Sequence, residues 1–162
     1  MSNMLRSIPF EYEPLVENRF FVEFPSELAV EVWKVQSVKS PTMNINSTEI
    51  PFMNETNYLA NGFKWEPIDI TFIDTIGSRT TTQLMEWVRL HAESLTGRQG
   101  YAIGYKKNLI YKELDPTGIT VNKWTLEQCQ IVTADFGNSD YSSKEVKKLQ
   151  LTVQPWRCIH NF

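Results

Sequence analysis

Short runs of alternating apolar and polar residues recur along the chain and predict β-strands. The clearest run covers residues 67–75, because Ile68, Ile70 and Phe72 would point to one face of a strand and the polar residues between them to the other. Residues 19–24 predict another strand, since aromatic and β-branched side chains favour extended backbone. Such runs predict a protein built mainly from β-sheet.

Four further runs extend this pattern. Residues 28–38 are predicted as one strand with apolar side chains on both faces, which indicates burial on two sides. The segment Asp115-Pro-Thr-Gly is predicted to join the runs 108–115 and 119–132 into a hairpin, because proline fixes φ and glycine accepts positive φ. The run 145–156 is predicted as the last strand.

One helix is predicted, over residues 80–95. Ser78 or Thr80 is its predicted N-cap, and Gly97 is predicted to end it. Its apolar stripe consists of Leu84, Val88, His91 or Ala92, and Leu95, with Trp87 beside it.

Residues 51–65, PFMNETNYLANGFKW, carry large apolar side chains without a helical or strand period. Asparagines and Gly62 interrupt the apolar positions. Burial of these side chains offsets less free energy than ordering the backbone costs, so local contacts alone do not hold the segment. The segment is therefore predicted either to cover the end of its own barrel or to be buried against a partner.

The length and composition predict one globular domain. The chain has 162 residues, of which 41% are hydrophobic and 22% are charged, so it can form its own core. The predicted fold is an antiparallel β-sandwich or barrel of seven or eight strands with one flanking helix. Residues 1–17 are predicted as an extended arm and residues 18–162 as the domain.

The two cysteines, Cys129 and Cys158, are predicted to be small buried apolar residues. The N-terminus has no apolar core of a signal peptide, so a reduced, cytosolic protein is expected. No run of about 18 apolar residues predicts a membrane span.

The sequence contains no familiar catalytic, cofactor-binding or metal-binding motif. His91 is predicted as a boundary histidine of the helix with a satisfied ring, and His160 lies near the chain end. The glycines of residues 97–104 do not have the spacing of a dinucleotide-binding loop. Asp69 and Asp74 would lie on opposite faces of a strand, so they form no carboxylate pair. The chain is predicted not to be an enzyme and to need no cofactor or metal.

The order and spacing of these elements resemble the tail tube proteins of contractile-tailed bacteriophages. The resemblance covers residues 18–156, and no single motif carries it. The matching elements are RFFVEF (19–24), VQSVKSPTMNI (35–45), IPFMNETNYLANGFKWEPIDITFIDT (50–75), TTQLMEWVRLHAES (81–94), YKELDPTGITVNKWTLEQCQIV (111–132) and DFGNSDYSSKEVKKLQLTVQPW (135–156).

The resemblance implies a ring of six copies whose inner sheets join into one closed β-barrel around a channel. Rings are implied to stack into a tube, and a long hairpin at about residues 44–65 is implied to reach the neighbouring ring. Asp69 and Thr71 are the residues predicted to face the channel. The predicted contact residues of the hairpin are Phe52, Met53, Asn54, Tyr58, Leu59, Phe63 and Trp65.

The resemblance also implies partners and a location. The partners would be further copies of the chain, the tail sheath protein, and baseplate and tail-terminator proteins, with no membrane contact. Double-stranded DNA would pass through the channel without specific binding, since six copies at −3 each give about −18 per ring and repel phosphates. The location would be the virion, after assembly in the host cytoplasm.

Other functions stay open at this point. The same fold would suit a baseplate tube initiator or the tube subunit of a tailocin or another injection system. A small-ligand carrier with a calyx-like barrel would need an apolar internal cavity. An enzyme would need an unfamiliar arrangement of catalytic groups.

Overall fold

The structure, a computed structural model, describes residues 13–161. Residues 1–12 of the predicted arm lie outside the described residues, and the predicted division into arm and domain stays a prediction. The described part contains nine strands and two α-helices. They are β1 Phe20–Glu23, β2 Val35–Val38, β3 Met43–Phe52, β4 Glu55–Trp65, β5 Ile68–Ile73, α1 Thr80–His91, α2 Ala102–Tyr105, β6 Lys107–Leu114, β7 Thr120–Asp135, β8 Lys148–Gln154 and β9 Arg157–His160.

Seven of the strands form one antiparallel sheet in the order β1-β6-β7-β8-β5-β2, with β9 also paired to β7. The long strand β7 joins two parts of this sheet, because its first half pairs with β6 and its second half with β8. Strands β8 and β9 follow one another along β7 and are separated by Pro155 and Trp156. The predicted mainly β, antiparallel fold with one principal helix is confirmed.

The curled sheet surrounds one core. The predicted inward residues of β5, Ile68, Ile70 and Phe72, are at most 1% exposed. Trp87 of α1 is fully buried in the same core, rather than lying beside the apolar stripe as predicted. Side chains from the other strands fill the remaining interior, and the largest of them are Leu109, Leu126, Leu149, Leu151 and Val153.

Helix α1 begins where predicted, but its N-cap residue is Arg79 rather than Ser78 or Thr80, and the carboxylate that binds its first turn comes from Asp74. The Asp74 carboxylate accepts hydrogen bonds from the backbone N–H of Thr80 (3.0 Å) and the hydroxyl of Thr81 (2.7 Å). Burial acts to raise the pKa of Asp74, but these hydrogen bonds and one from Thr75 hold the pKa below its ordinary value. An ionised carboxylate therefore accepts hydrogen bonds from donors in the first turn of the helix.

The predicted end of this helix is wrong. Helix α1 ends at His91, and Ala92 adopts extended backbone that pairs with Gln99. Leu95, predicted as part of the buried stripe, is 92% exposed. Gly97 has positive φ, but it closes a separate turn after the helix by donating its N–H to the carbonyl of Glu93.

The predicted strand 28–38 is also wrong in its first part. Two 3₁₀ helices, Ser26–Leu28 and Val32–Lys34, replace it, and only β2 is extended. The reason is a tertiary contact, because the fully buried Lys34 donates to the carbonyl and the hydroxyl of Ser78 beside α1. This hydrogen-bonded network overrides the strand preference of the local sequence.

The chain end carries one strand that the sequence did not predict. The predicted last strand, 145–156, forms as β8 and stops at Gln154. After Pro155 and Trp156 the chain resumes as β9 and pairs with β7, so that Cys158 lies opposite Leu126. Cys129 and Cys158 are both buried and free, as predicted. Burial raises the pKa of each thiol to about 12.

Candidate assembly surface

Strands β3 and β4 form a hairpin that continues beyond the main sheet. Its register matches that of the β2–β5 pair, because Val38 faces Ile70 and Met43 faces Trp65 without a shift between them. The pairing is interrupted near Pro41, which has no N–H to donate. Strand β3 has ten residues at about 3.3 Å each, so the hairpin reaches about 30 Å from its root.

The two faces of this hairpin differ in polarity. Cross-strand pairing places Met43, Ile45, Tyr58 and Phe63 on one face, which we call the apolar face. Ile45, Tyr58 and Phe63 are each more than 60% exposed. The opposite face is mainly polar and carries Asn44, Asn46, Thr48, Asn57, Asn61 and Lys64.

A β-bulge creates this segregation. Between the pairs Ser47–Ala60 and Ile45–Phe63, strand β4 holds one residue more than β3. Gly62 takes the positive φ of +82° at this point. Because side chains alternate along a strand, the extra residue moves Phe63 onto the face that also carries Tyr58.

The hairpin tip carries a second apolar cluster. Phe52 and Met53 are 69% and 90% exposed, and Ile50 and Leu59 lie near them on the polar face. An isolated two-stranded hairpin is marginally stable in water. The exposed side chains are therefore the surface that a partner would cover.

Of the seven predicted contact residues, six lie on the free part of the hairpin and are exposed. They are Phe52, Met53, Asn54, Tyr58, Leu59 and Phe63. Trp65 lies at the root, where its ring packs edge-on against Trp124 at 6.2 Å. The sequence did not predict Met43, Ile45 and Ile50 as contact residues, although all three are exposed. The face of the hairpin on which each side chain lies becomes evident only from the pairing register.

Asp69 and Thr71 are alternate residues of β5, so both side chains lie on the outer face of the main sheet. Asp69 accepts a hydrogen bond of 2.7 Å from Thr152 of β8. This outer face is formed by β2, β5, β8 and the second half of β7, and we call it the polar sheet face. Its members are mainly uncharged polar residues, with one apolar side chain, Ile73: Ser37, Asp69, Thr71, Ile73, Gln130, Thr133, Asp135, Lys148, Gln150, Thr152 and Gln154.

The four strands of the polar sheet face end in two edges that have no partner strand within the described residues. One edge is β2, and the other is the second half of β7. Neighbouring strands are antiparallel throughout, so β2 and the second half of β7 run in opposite directions. Such edges can pair with another copy of the chain.

His91 anchors helix α1 to the start of the second half of β7. Its Nε2 accepts a hydrogen bond from the backbone N–H of Ile131 (3.0 Å), so Nδ1 carries the proton and donates to the carbonyl of Trp87 (3.0 Å). The ring stacks on Tyr105 with a centroid distance of 4.4 Å. The predicted satisfied ring is thus present. His160 lies elsewhere, against Trp124 and Asn122.

Acid should weaken this anchor. Burial lowers the pKa of His91 from its ordinary 6.5, so the folded chain binds that proton less readily than the unfolded chain. The contribution of His91 to the free energy of unfolding is present above pH 6.5 and is lost as the pH falls through the folded-state pKa. We expect the stability difference between the wild type and His91→Phe in urea unfolding to shrink from pH 7.5 to pH 5. A constant difference would contradict this role, because the variant has no ring proton to titrate.

The described residues contain no cluster of three or more His, Cys, Asp or Glu side chains placed to hold a metal ion. In the same part of the chain, neither helix has the length and apolarity needed to cross a membrane.

The sequence matches no protein-family model, and no curated protein matches it significantly. The fold, in contrast, is similar to chains in solved contractile assemblies. A chain in the anti-feeding prophage tube-terminating cap is 17% identical, with a TM-score of 0.73 and 99% of each chain covered. A chain in the sheath/tube terminator of an extracellular contractile injection system, PVC, is 16% identical, with a TM-score of 0.74, and 95% of this chain and 100% of that chain are covered.

A more distant similarity is to Hcp1 from Flavobacterium johnsoniae. That protein is 14% identical, with a TM-score of 0.56, and 88% of this chain and 94% of Hcp1 are covered. The TM-scores of these three comparisons show a shared fold despite the low sequence identities.

Proposed function

We propose that the chain is a structural subunit of the tube of a contractile injection machine of the phage-tail type. The supporting observation is the polar sheet face, a four-stranded antiparallel sheet with a free edge on each side. Edge β2 of one copy would pair with the second half of β7 in the next. Closing a ring in this way would remove both open edges of the polar sheet face.

The proposed ring has six copies, as in the six-fold symmetrised structure of the anti-feeding prophage baseplate, which contains a chain with a similar fold. Six copies of four strands give a barrel of 24 strands. Its inner wall would be the polar sheet face, with Asp69 and Thr71 exposed to the channel. This arrangement extends the antiparallel order without a break.

The proposed cargo is double-stranded DNA in a phage virion assembled in the host cytoplasm. The polar sheet face carries Asp69 and Asp135 against Lys148, so its net charge is −1 per copy. A weakly acidic wall of amides and hydroxyls does not hold phosphates, because tight DNA binding relies on clustered lysine and arginine. DNA would therefore slide along this wall.

The hairpin is proposed to connect consecutive rings. It extends about 30 Å beyond the sheet. Its Tyr58 and Phe63 side chains are exposed in the single chain and would be buried against the next ring.

The proposed partners outside the tube are the sheath, the baseplate and a terminator. A tube initiator or terminator of the same fold is the nearest alternative. A small-ligand carrier is not supported. It would need an apolar internal cavity, whereas packed side chains fill the interior of the sheet in the described part of the chain.

Sedimentation of the purified full chain tests this proposal. We expect a species of about six copies together with larger stacks whose proportion rises with protein concentration. A stable monomer at high concentration that retains a small hydrophobic ligand would contradict the proposal and support the carrier.

A further inference from the structure

A crevice of about 470 Å³ lies at the root of the hairpin, where β4 meets the end of β8. Its nine lining residues combine aromatic rings, amides and two lysines, and none of them has a carboxylate, although the chain as a whole is acidic. We call this site the root crevice. It is lined by Phe63, Lys64, Trp65, Lys106, Gln128, Gln130, Gln154, Pro155 and Trp156.

The loop between β7 and β8 carries a complementary projection. Tyr141 is fully exposed at the loop surface. Beside it, Asp140 Oδ1 accepts hydrogen bonds from the backbone N–H (3.0 Å) and the hydroxyl (2.9 Å) of Ser142. These hydrogen bonds lower the pKa of Asp140, so the carboxylate is charged at neutral pH. We call the pair Asp140 and Tyr141 the loop knob.

The loop knob and the root crevice lie at opposite ends of the same sheet. The loop leads into Lys148, which pairs with Ile73 at one end of β5. The crevice contains Gln154, next to Val153, which pairs with Ile68 at the other end. Six residues of β5 separate these ends by about 20 Å. Head-to-tail stacking brings the knob end of one copy against the crevice end of another.

We propose that the loop knob of one copy docks in the root crevice of a copy in the adjacent ring. This inference rests on the proposed tube function and identifies the surface that receives the next ring. The Tyr141 ring would pack on Trp156 and Phe63, which are 58% and 64% exposed in the single chain. The Asp140 carboxylate would meet the two lysine ammonium groups, which have no carboxylate partner inside the crevice.

Cross-linking in assembled tubes tests the docking directly. The full chain carrying Ser139→Cys beside the loop knob and Gln128→Cys in the crevice lining, with Asp140, Tyr141 and both lysines unchanged, is assembled and treated with a short bis-maleimide. The native thiols do not compete, because both are buried and have pKa values raised to about 12. We expect a ladder of covalent multimers on a denaturing gel and almost none with either single variant.

A matched control uses Ser139→Cys with Glu86→Cys on the exposed side of α1. Tubes that form without a ladder, or a ladder equally strong in the control, would overturn the docking while leaving the tube function intact. Cross-linking by Ser139→Cys alone would indicate head-to-head stacking and would also overturn the docking. A wild-type chain that forms no rings would instead refute the tube function, and the docking with it.

Discussion

Replacing Ile45, Tyr58 and Phe63 with serine should leave rings intact and abolish their stacking into tubes. All three lie on the apolar face and are more than 60% exposed in the single chain. Full burial of each would contribute about 1.5–3 kcal/mol, so their loss removes about 4–9 kcal/mol per copy from a ring contact. The circular dichroism of the variant should match that of the wild type, because exposed positions contribute little to folding.

A control for this variant changes the same number of residues on the opposite face. Asn46, Thr48 and Asn57 replaced with serine should stack as the wild type does, since these polar side chains gain little from burial. Stacking is measured by sedimentation of the assembled fraction. If the apolar variant unfolds, or if both variants stack equally well, then the apolar face is not the contact between rings.

Replacing Lys34 with methionine should destabilise the fold by about 3 kcal/mol. The Lys34 ammonium is completely buried and donates to both the carbonyl and the hydroxyl of Ser78. Hydrogen bonds from charged groups contribute about 1.5–3 kcal/mol each, and the variant loses both of these bonds. Methionine keeps the aliphatic stem, so the loss reports on the hydrogen bonds rather than on a cavity.

The matched control for Lys34 is Lys39→Met. Lys39 is also a lysine of the same segment, but it is 47% exposed and forms a surface ion pair of 3.4 Å with Glu66. Its loss should cost less than about 1 kcal/mol. Equal urea unfolding midpoints for the two variants would show that the buried network does not hold the 3₁₀ segment against α1.

The elements that the sequence predicts well are those held by local pattern. The alternation of apolar and polar residues identifies β5, because Ile68, Ile70 and Phe72 all point to one face of the strand and that face is buried. The Asp115 turn is equally local, since its carboxylate accepts from the N–H groups of Thr117 and Ile119, both at 2.8 Å. Such features follow from neighbours in the chain and require no knowledge of the tertiary fold.

The elements that the sequence does not predict depend on distant partners. The 3₁₀ segment exists because Lys34 reaches Ser78, which is 44 positions away. Likewise, the apolar face of the hairpin depends on the bulge at Gly62, and a shift of one residue would move Phe63 to the other face. Composition indicates an exposed apolar surface in residues 51–65, but only the pairing register divides it into two faces.

Electron microscopy of the purified full chain tests the central claim most directly. The proposed tube function predicts six-fold rings that stack into hollow tubes, with Asp69 and Thr71 on the channel wall and the hairpin of each copy buried against the next ring. Monomers without rings, or rings in which the polar sheet face points outward, would contradict the claim.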